Sequence, residues 1–534
     1  MHRAQPISPS SLRNRLCRAI AALLCFCMPL LWASDSPADT KSLEFNHIER
    51  IVWRHNESAA QQIQEIARKR EPVVIVGSPS ADWPALSRWT STSFWRVACR
   101  KGDGNDKKLE MRLQKRNPVA NVDLKKDLTQ IAVRASLVDE SQFEDSSLVT
   151  RQCQLIWDDE QHTRTAYEEL VAKSGSLFMY LTMELEKLNS SLLQDVAPYE
   201  FMFINESASS IAVDAHGNIL SRISPGHGNP RIWLSKPLAP DTDIKVVMHY
   251  DTHHNFNVQV AGTKKFWLLP PSAWRSVAPN PVFHPSDRHS RLPLSEVSAI
   301  LQQDTNGRQK LLQATLSSGE MLYIPPYYFH AVEAQFATKN SHSLEGAINV
   351  NAFSLSQEWS TMLTLSQGTS TLLRSMHGVA SSKVGLLNVL SNFFKQAIPS
   401  VLGDTAQAPN NEAGAAFESF MTSVLKARWQ PTDVSHTDSY LCDNFSADMC
   451  PTSQFCSVLT GPQRTAVTKA AEQVRNTLNP RRSVPCMESE VHCKKQKEVH
   501  AVRELMLADF LEGIAVAVLQ SQACFFLQCM HALC

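Results

Sequence analysis

The sequence predicts a mainly β core, a barrel or two-sheet jelly roll, with flanking helices and a helical, cysteine-rich C-terminal region. Three observations carry that expectation. Short apolar runs bounded by Gly and Pro recur through the middle of the chain, the pattern of short strands separated by turns. After residue 356 the alternation gives way to helical periodicity. Of the 13 cysteines, eight crowd the last 93 residues.

In chain order, residues 35–69 read as a polar leader and a helix, the latter from about Ser58 to Arg70 with Ile63 and Ile66 on one face. EPVVIVG (71–77) is a short buried strand ended by Gly77, and ADWPALSRWT is a turn with two tryptophans before a helix over Ser91 to Val97. Residues 101–150 are charged, with one or two strands, and Arg164 to Lys187 starts helical and then gives FMYLTMEL (178–185). Phe201 to Ile204 and Pro230 to Leu234 read as further strands. The core stretch runs from Lys245 to Pro271. A loop-and-helix insertion at 272–318 follows, helical over Leu294 to Gln303, then strands at Gln313–Leu316 and Glu320–Ile324. Ala347–Phe353 is the last strand. Residues 356–403 and 412–428 are helical around a polar link, and a further helix spans Glu498 to Gln522. Its Glu504, Asp509 and Glu512 make it a poor membrane span. The expected domains are 1–34, 35–69, 70–355, 356–430 and 431–534.

Composition narrows the partners. Basic and acidic residues balance at 52 each, so no nucleic-acid or acidic-membrane partner is expected. The first 34 residues set the expected compartment. Arg13, Arg15 and Arg18 precede an uncharged run from Ala19 to Trp32, and Ala33-Ser34 supplies small residues. That run is short for a bilayer span and suits a signal-peptide core or signal anchor, although mitochondrial presequences share the Arg-rich, acid-free start. The tail cysteines (442, 450, 456, 486, 493, 524, 529 and 534) contain no CxxC pair, which favours disulfides over a zinc module. Sequons at Asn56, Asn189, Asn205 and Asn444 are compatible with glycosylation. The expected localisation is the secretory pathway, with no stable membrane span unless the N-terminal segment stays uncleaved.

The chemistry concentrates in HYDTHHNFNVQVAGTKKFWLLPP (249–271). Phe256, Val258 and Val260 alternate with Asn257, Gln259 and Ala261, Gly262 breaks the pattern, and Phe266 to Leu269 follows. The stretch reads as two antiparallel strands joined at a Gly turn. His249 and Asp251 are two apart, so an extended strand points both to one face. His330, at the end of GEMLYIPPYYFH, is a third candidate ligand. Two histidines and a carboxylate are the ligand set of non-haem Fe(II) oxygenases, which leaves coordination positions open. His253, His254, His284 and His289 read as surface or loop histidines, with substrate contact the lesser reading.

The combination of HxD, Asn255, Gln259, Gly262, Lys264, Pro270-Pro271 and the distal strand resembles the JmjC oxygenases of the cupin superfamily, most closely the protein hydroxylases of the factor-inhibiting-HIF type. Their core reads HYDxxxNFxxQxxGxKxxxLxPP and their distal strand GDxLYIPxxWWH. The resemblance covers about residues 70–355 and implies a double-stranded β-helix barrel. It implies that His249, Asp251 and His330 hold Fe(II), and that Lys264 pairs with the distal carboxylate of 2-oxoglutarate. Tyr180, Asn255 and Asn351 match the family's co-substrate tyrosine and site asparagines. Where the family often has a hydroxyl three residues before the first ligand, this chain has Val246. One lost contact costs about 1 kcal/mol, within tenfold in affinity.

The reading is therefore an Fe(II)- and 2-oxoglutarate-dependent dioxygenase that hydroxylates a protein side chain in the secretory pathway. Its rivals are a non-catalytic lumenal interaction protein and a histone lysine demethylase. By analogy with the family, helices after the barrel could form a homodimer.

Overall fold

The computed structural model describes residues 45–91, 94–95, 110–115, 176–213, 219–225, 228–237, 244–282, 287–303, 309–335, 346–362, 365, 383–402, 410–424, 427–428, 459–478, 490–519 and 526–527. The strands, in chain order, are β1 (Phe45–His47), β2 (Arg50–Val52), β3 (Val73–Val76), β4 (Glu110–Lys115), β5 (Ser176–Glu184), β6 (Ile204–Val213), β7 (Ile219–Pro225) and β8 (Arg231–Pro237). They continue with β9 (Ile244–Tyr250), β10 (His253–Ala261), β11 (Thr263–Leu269), β12 (Leu311–Leu316), β13 (Met321–Ile324), β14 (Phe329–Gln335) and β15 (Ala347–Leu355). One sheet runs β1-β12-β11-β14-β9 and a larger one β2-β3-β13-β10-β15-β8-β5-β4, with β6-β7 a separate ribbon. Pairing is antiparallel except for β1 with β12 and β2 with β3.

Two cores follow from strand alternation. Phe266 and Leu268 of β11, Ala314 and Leu316 of β12, and Val332 of β14 meet Val74, Leu322 and Ile324 of the other sheet. The two sheets therefore pack face to face, as a jelly roll requires. On the outer face of the larger sheet, Phe256, Val258 and Val260 join Ile348, Val350, Ile232 and Leu234. Helix α1 (Ala59–Lys69) covers them with Ile63, Ile66 and Ala67, alongside Trp83, Trp89 and Trp95. Asp195 fixes that layer by accepting from Trp89 Nε1 at 3.0 Å and Arg88 Nη1 at 2.6 Å. The mainly β core with helical additions is thus what this chain builds.

The expected hairpin across Gly262 is corrected. β10 pairs with β13 and β15, while β11 pairs with β12 and β14, so the chain changes sheet at Gly262 instead of folding back on itself. The backbone there has φ +68°, and a Cβ would stand 2.8 Å from the Gly346 oxygen. Glycine provides both the left-handed conformation and the room for that close approach. Local pattern gives two strands and a glycine; it does not say whether they are neighbours. The strand expected at Phe201 to Ile204 starts later and runs further, to Val213. Glu200–Met202 is a 3₁₀ turn, with Phe203 N–H donating to Glu200 O, and β6 begins at Ile204.

Helix α2 (Leu294–Gln303) lies in the insertion, and α3 (Lys383–Leu402), α4 (Asn410–Val424), α5 (Gly461–Leu478) and α6 (Glu490–Leu519) follow the barrel. α3 packs against α4, α5 and α6 and buries Val389, Leu390, Phe393, Phe394 and Ile398. α6 starts earlier than the sequence suggested and is buried through its middle on nearly every face. Among the described residues no helix is long and apolar enough to cross a membrane. The N-terminal segment 1–34 and cysteines 442, 450, 456, 486, 524, 529 and 534 lie outside the described residues, and of the one or two strands expected in 101–150 only β4 falls on described residues. Of the sequons, Asn56 is exposed. Asn189 is buried and its Oδ1 accepts from Ser191 N–H and Oγ–H, which corrects its reading as a glycan acceptor in the folded chain.

Candidate metal and co-substrate site

β9 and β14 are adjacent antiparallel strands with His249 directly opposite His330. A register irregularity between His330 and Val332 lets Val246 join the inter-sheet core while His249 turns to the ligand cluster, although odd spacing would put them on opposite faces. Asp251 follows immediately after β9. The ligand atoms of His249, Asp251 and His330 all lie within 4.8 Å of one another. The two imidazole centroids are 4.2 Å apart, and His330 Nε2 is 3.6 Å from Asp251 Oδ2.

The donor set fits a divalent metal. His249 Nδ1 faces the Val247 carbonyl at 2.9 Å and His330 Nδ1 the Tyr328 carbonyl at 3.2 Å. A carbonyl only accepts, so each Nδ1 carries the proton and each Nε2 keeps its lone pair for a metal. Burial, with His330 and His289 nearby, holds His249 well below the usual imidazole range. Burial pushes the Asp251 carboxyl up, but His330, His249 and Arg288 outweigh it and hold it below its usual range. The cluster thus offers a neutral imidazole at His249 and an ionised carboxylate at Asp251, forms that ligate.

Lys264 is inward-facing on β11 and 1% exposed. Burial pushes its ammonium down to about 7. Its Nζ donates to Asn349 Oδ1, and Asn349 Nδ2 donates to Asn351 Oδ1. Asn351 Nδ2 then donates to Asn255 Oδ1 at 2.8 Å, and Asn255 Nδ2 to Asp251 Oδ2 at 3.2 Å. Every donor in this run points the same way, from the ammonium to the ligand carboxylate. β10 and β15 make it possible, because Asn255, Asn349 and Asn351 face inward while Phe256, Ile348 and Val350 face the outer core. A buried ammonium calls for an anionic partner, so a carboxylate co-substrate fits this end of the interior.

The structure brings His249, Asp251, His330, Lys264, Asn255 and Asn351 into one connected set. Tyr180 sits on β5 opposite Ser235 of β8, and its side chain is outside what is described. Asn349 was missed; its signal was the pair Asn349 and Asn351 on one face of an otherwise apolar strand. Of the histidines read as surface or loop residues, His254 is corrected and His289 keeps a loop position with an inward contact. His254 is fully buried on β10 and hydrogen-bonds the Tyr323 hydroxyl at 2.9 Å. His289 stacks on His249, with centroids 4.9 Å apart and planes at 14°. It lies outside the named strands, and strand periodicity carries no information about such an approach. His253 is half-buried, hydrogen-bonded to Thr252 Oγ1, while His284 lies outside the described residues.

Comparison with known proteins places these features. A stretch of 93 residues is 36% identical to lysine-specific demethylase JMJ31 of Arabidopsis thaliana, spanning 17% of this chain and 17% of that protein. The cupin-like domain family matches residues 58–353, more than half the chain and all of the described candidate site. With two packed sheets and a His-Asp-His cluster at adjacent strand ends, the chain belongs to the cupin-like domain family, within the cupin and JmjC superfamily.

Proposed function

We propose that this protein is an Fe(II)- and 2-oxoglutarate-dependent oxygenase that hydroxylates a protein side chain, of the factor-inhibiting-HIF type, in the secretory pathway. The observation that carries the reading is the connected set from Lys264 through three asparagines to Asp251 and the two histidines. It supplies a place for a metal and, within one interior, a cation for a dicarboxylate. Bound Fe(II) would supply the coupled chemistry in which 2-oxoglutarate, dioxygen and a C–H bond give succinate, carbon dioxide and a C–OH group.

This chain's residues do the positioning. His249 and His330 present Nε2, held by backbone carbonyls. Asn255 holds one oxygen of Asp251 in place and leaves the carboxylate's remaining lone pairs for a metal. Lys264 would pair with the far carboxylate of the co-substrate, in an interior closed to water by Phe266, Leu268 and Val332. Val246 offers no hydroxyl there, so co-substrate binding rests more heavily on Lys264.

The first test is anaerobic. Fe(II) and then 2-oxoglutarate are added to the purified chain and to His249→Ala, and visible spectra are recorded. A charge-transfer band that needs both additions and is absent in the variant is the expected result. No band in a folded, metal-loaded sample would sink the oxygenase reading in favour of a binding protein.

The partial likeness to a lysine-specific demethylase favours a second reading, demethylation of a protein lysine. Both reactions consume the same co-substrate. Formaldehyde release during turnover on methylated peptides separates them, since hydroxylation of a carbon side chain releases none. A fusion of residues 1–40 to a reporter tests the compartment; nuclear or cytosolic signal would remove the secretory assignment.

A further inference from the structure

We infer that α6 is a working part of the metal site, with Asp509 acting as a positioning residue for the two ligands that flank Tyr250. The inference rests on the metal-binding reading above. Tyr250 lies between His249 and Asp251 in sequence, but its side chain turns away from the cluster. Its hydroxyl donates to Asp509 Oδ2 of α6 at 2.8 Å, 259 residues further along the chain. The ring is stacked against Tyr327 at 5.4 Å and 22° and meets Phe329 edge-on at 5.3 Å. Tyr327 N–H in turn donates to the Asp251 carbonyl at 2.7 Å. The backbone of the ligand turn is therefore fixed through one buried tyrosine, and that tyrosine's polar end is fixed by α6.

A second contact from the same helix reaches the histidine stacked on the site. Glu512 Oε2 accepts from Val282 N–H at 2.9 Å, six residues before Arg288 and seven before His289. Beyond it, Ser290 N–H donates to the Met248 carbonyl at 2.6 Å, one residue before the first ligand. Arg428, fully buried, joins both acids: its Nη2 lies 2.9 Å from Asp509 Oδ1 and 2.8 Å from Glu512 Oε2.

Docking alone does not require this arrangement. Leu505, Leu507, Phe510, Leu511 and Ile514 already bury α6, and buried ion pairs are weak contributors to net stability beside apolar packing. What a buried, paired acid provides is one defined geometry, because a carboxylate or guanidinium left without its partner is strongly disfavoured. The Asp509 geometry is aimed at the residue between two ligands. Glu504, by contrast, spends its carboxylate on Trp274 Nε1 and Arg275, remote from the ligand turn.

The test is a titration of the metal-free full chain with Co(II), read by visible absorption, with thermal unfolding measured in parallel. Tyr250→Phe removes one oxygen, Asp509→Leu removes the acceptor, and Asp509→Asn keeps an oxygen that the tyrosine can donate to. Glu504→Gln serves as a control on the same helix. The expected result is about tenfold weaker Co(II) binding and an altered ligand-field band for Tyr250→Phe and Asp509→Leu. The double variant should be no weaker than the singles, Asp509→Asn should recover most of the affinity, and Glu504→Gln should lower the unfolding temperature while leaving the Co(II) titration unchanged. Wild-type affinity and spectrum in folded Tyr250→Phe would overturn the inference and leave the metal reading intact. Absence of Co(II) binding by the wild type would overturn the metal reading and this inference with it.

Discussion

Lys264 donates from its buried ammonium to the side-chain oxygen of Asn349, and that contact begins a one-directional run of amide hydrogen bonds ending on the Asp251 carboxylate. Aligned donors polarise one another, so the cation and the carboxylate of the candidate ligand Asp251 are linked through three side chains although Lys264 stands on β11 and Asp251 just past β9. Asn349→Asp puts a permanent carboxylate beside the ammonium, and that internal ion pair competes with a bound dicarboxylate. The expected outcome is at least tenfold weaker 2-oxoglutarate binding by calorimetry, with Co(II) affinity within about twofold of wild type. Unchanged 2-oxoglutarate affinity would show that Lys264 is not the anchor.

Asn255 is the last link, and its loss frees one Asp251 oxygen while stranding the Asn351 amide. Asn255→Ala should weaken metal binding by about 10- to 100-fold, the range for removing a group that orients a ligand. Mn(II) titration followed by electron paramagnetic resonance measures it directly. Wild-type Mn(II) affinity in that variant would assign Asn255 to the sheet alone.

Co-substrate binding should take up protons. Burial holds the free Lys264 ammonium at about 7, below its unfolded value near 10.4. At pH 8 most of the free protein therefore carries neutral Lys264, whereas a carboxylate beside it favours the charged form. Binding at pH 8 should consume close to one proton, and affinity should fall by up to about tenfold per pH unit above 7. The same depressed value means the unfolded chain binds more protons between about pH 7 and pH 10, so the ligand-free fold gains stability as pH rises through that window. Calorimetry in buffers of different ionisation enthalpy reports the uptake, and its absence would contradict a charge-pairing role.

Gly262 is where the chain passes from one sheet to the other. With φ +68° and a Cβ position 2.8 Å from the Gly346 oxygen, Gly262→Ala carries both a backbone and a steric penalty. A loss of about 2–4 kcal/mol is expected, read as a lower denaturant midpoint. A change below about 0.5 kcal/mol would mean that the corner has room to relax.

Residue pattern alone made the central strands, their outer core and the candidate ligands legible. Strand alternation has a fixed period of two, so the apolar positions Phe256, Val258 and Val260 declare one buried face and Asn255 and Asn257 the other. The HxD spacing and the distant His330 likewise follow from residue type and position along the chain. That Gly262 separates two sheets emerges from the strand pairing alone, because periodicity reports which face is buried and not which strand lies alongside. The same limit hid Asn349, which meets Lys264 across 85 residues, and Asp509, which meets Tyr250 across 259. It also hid His254 and His289, since a histidine's role depends on what burial brings against it. Contacts at such separations arise from sheet order and helix docking, and local pattern carries no record of them.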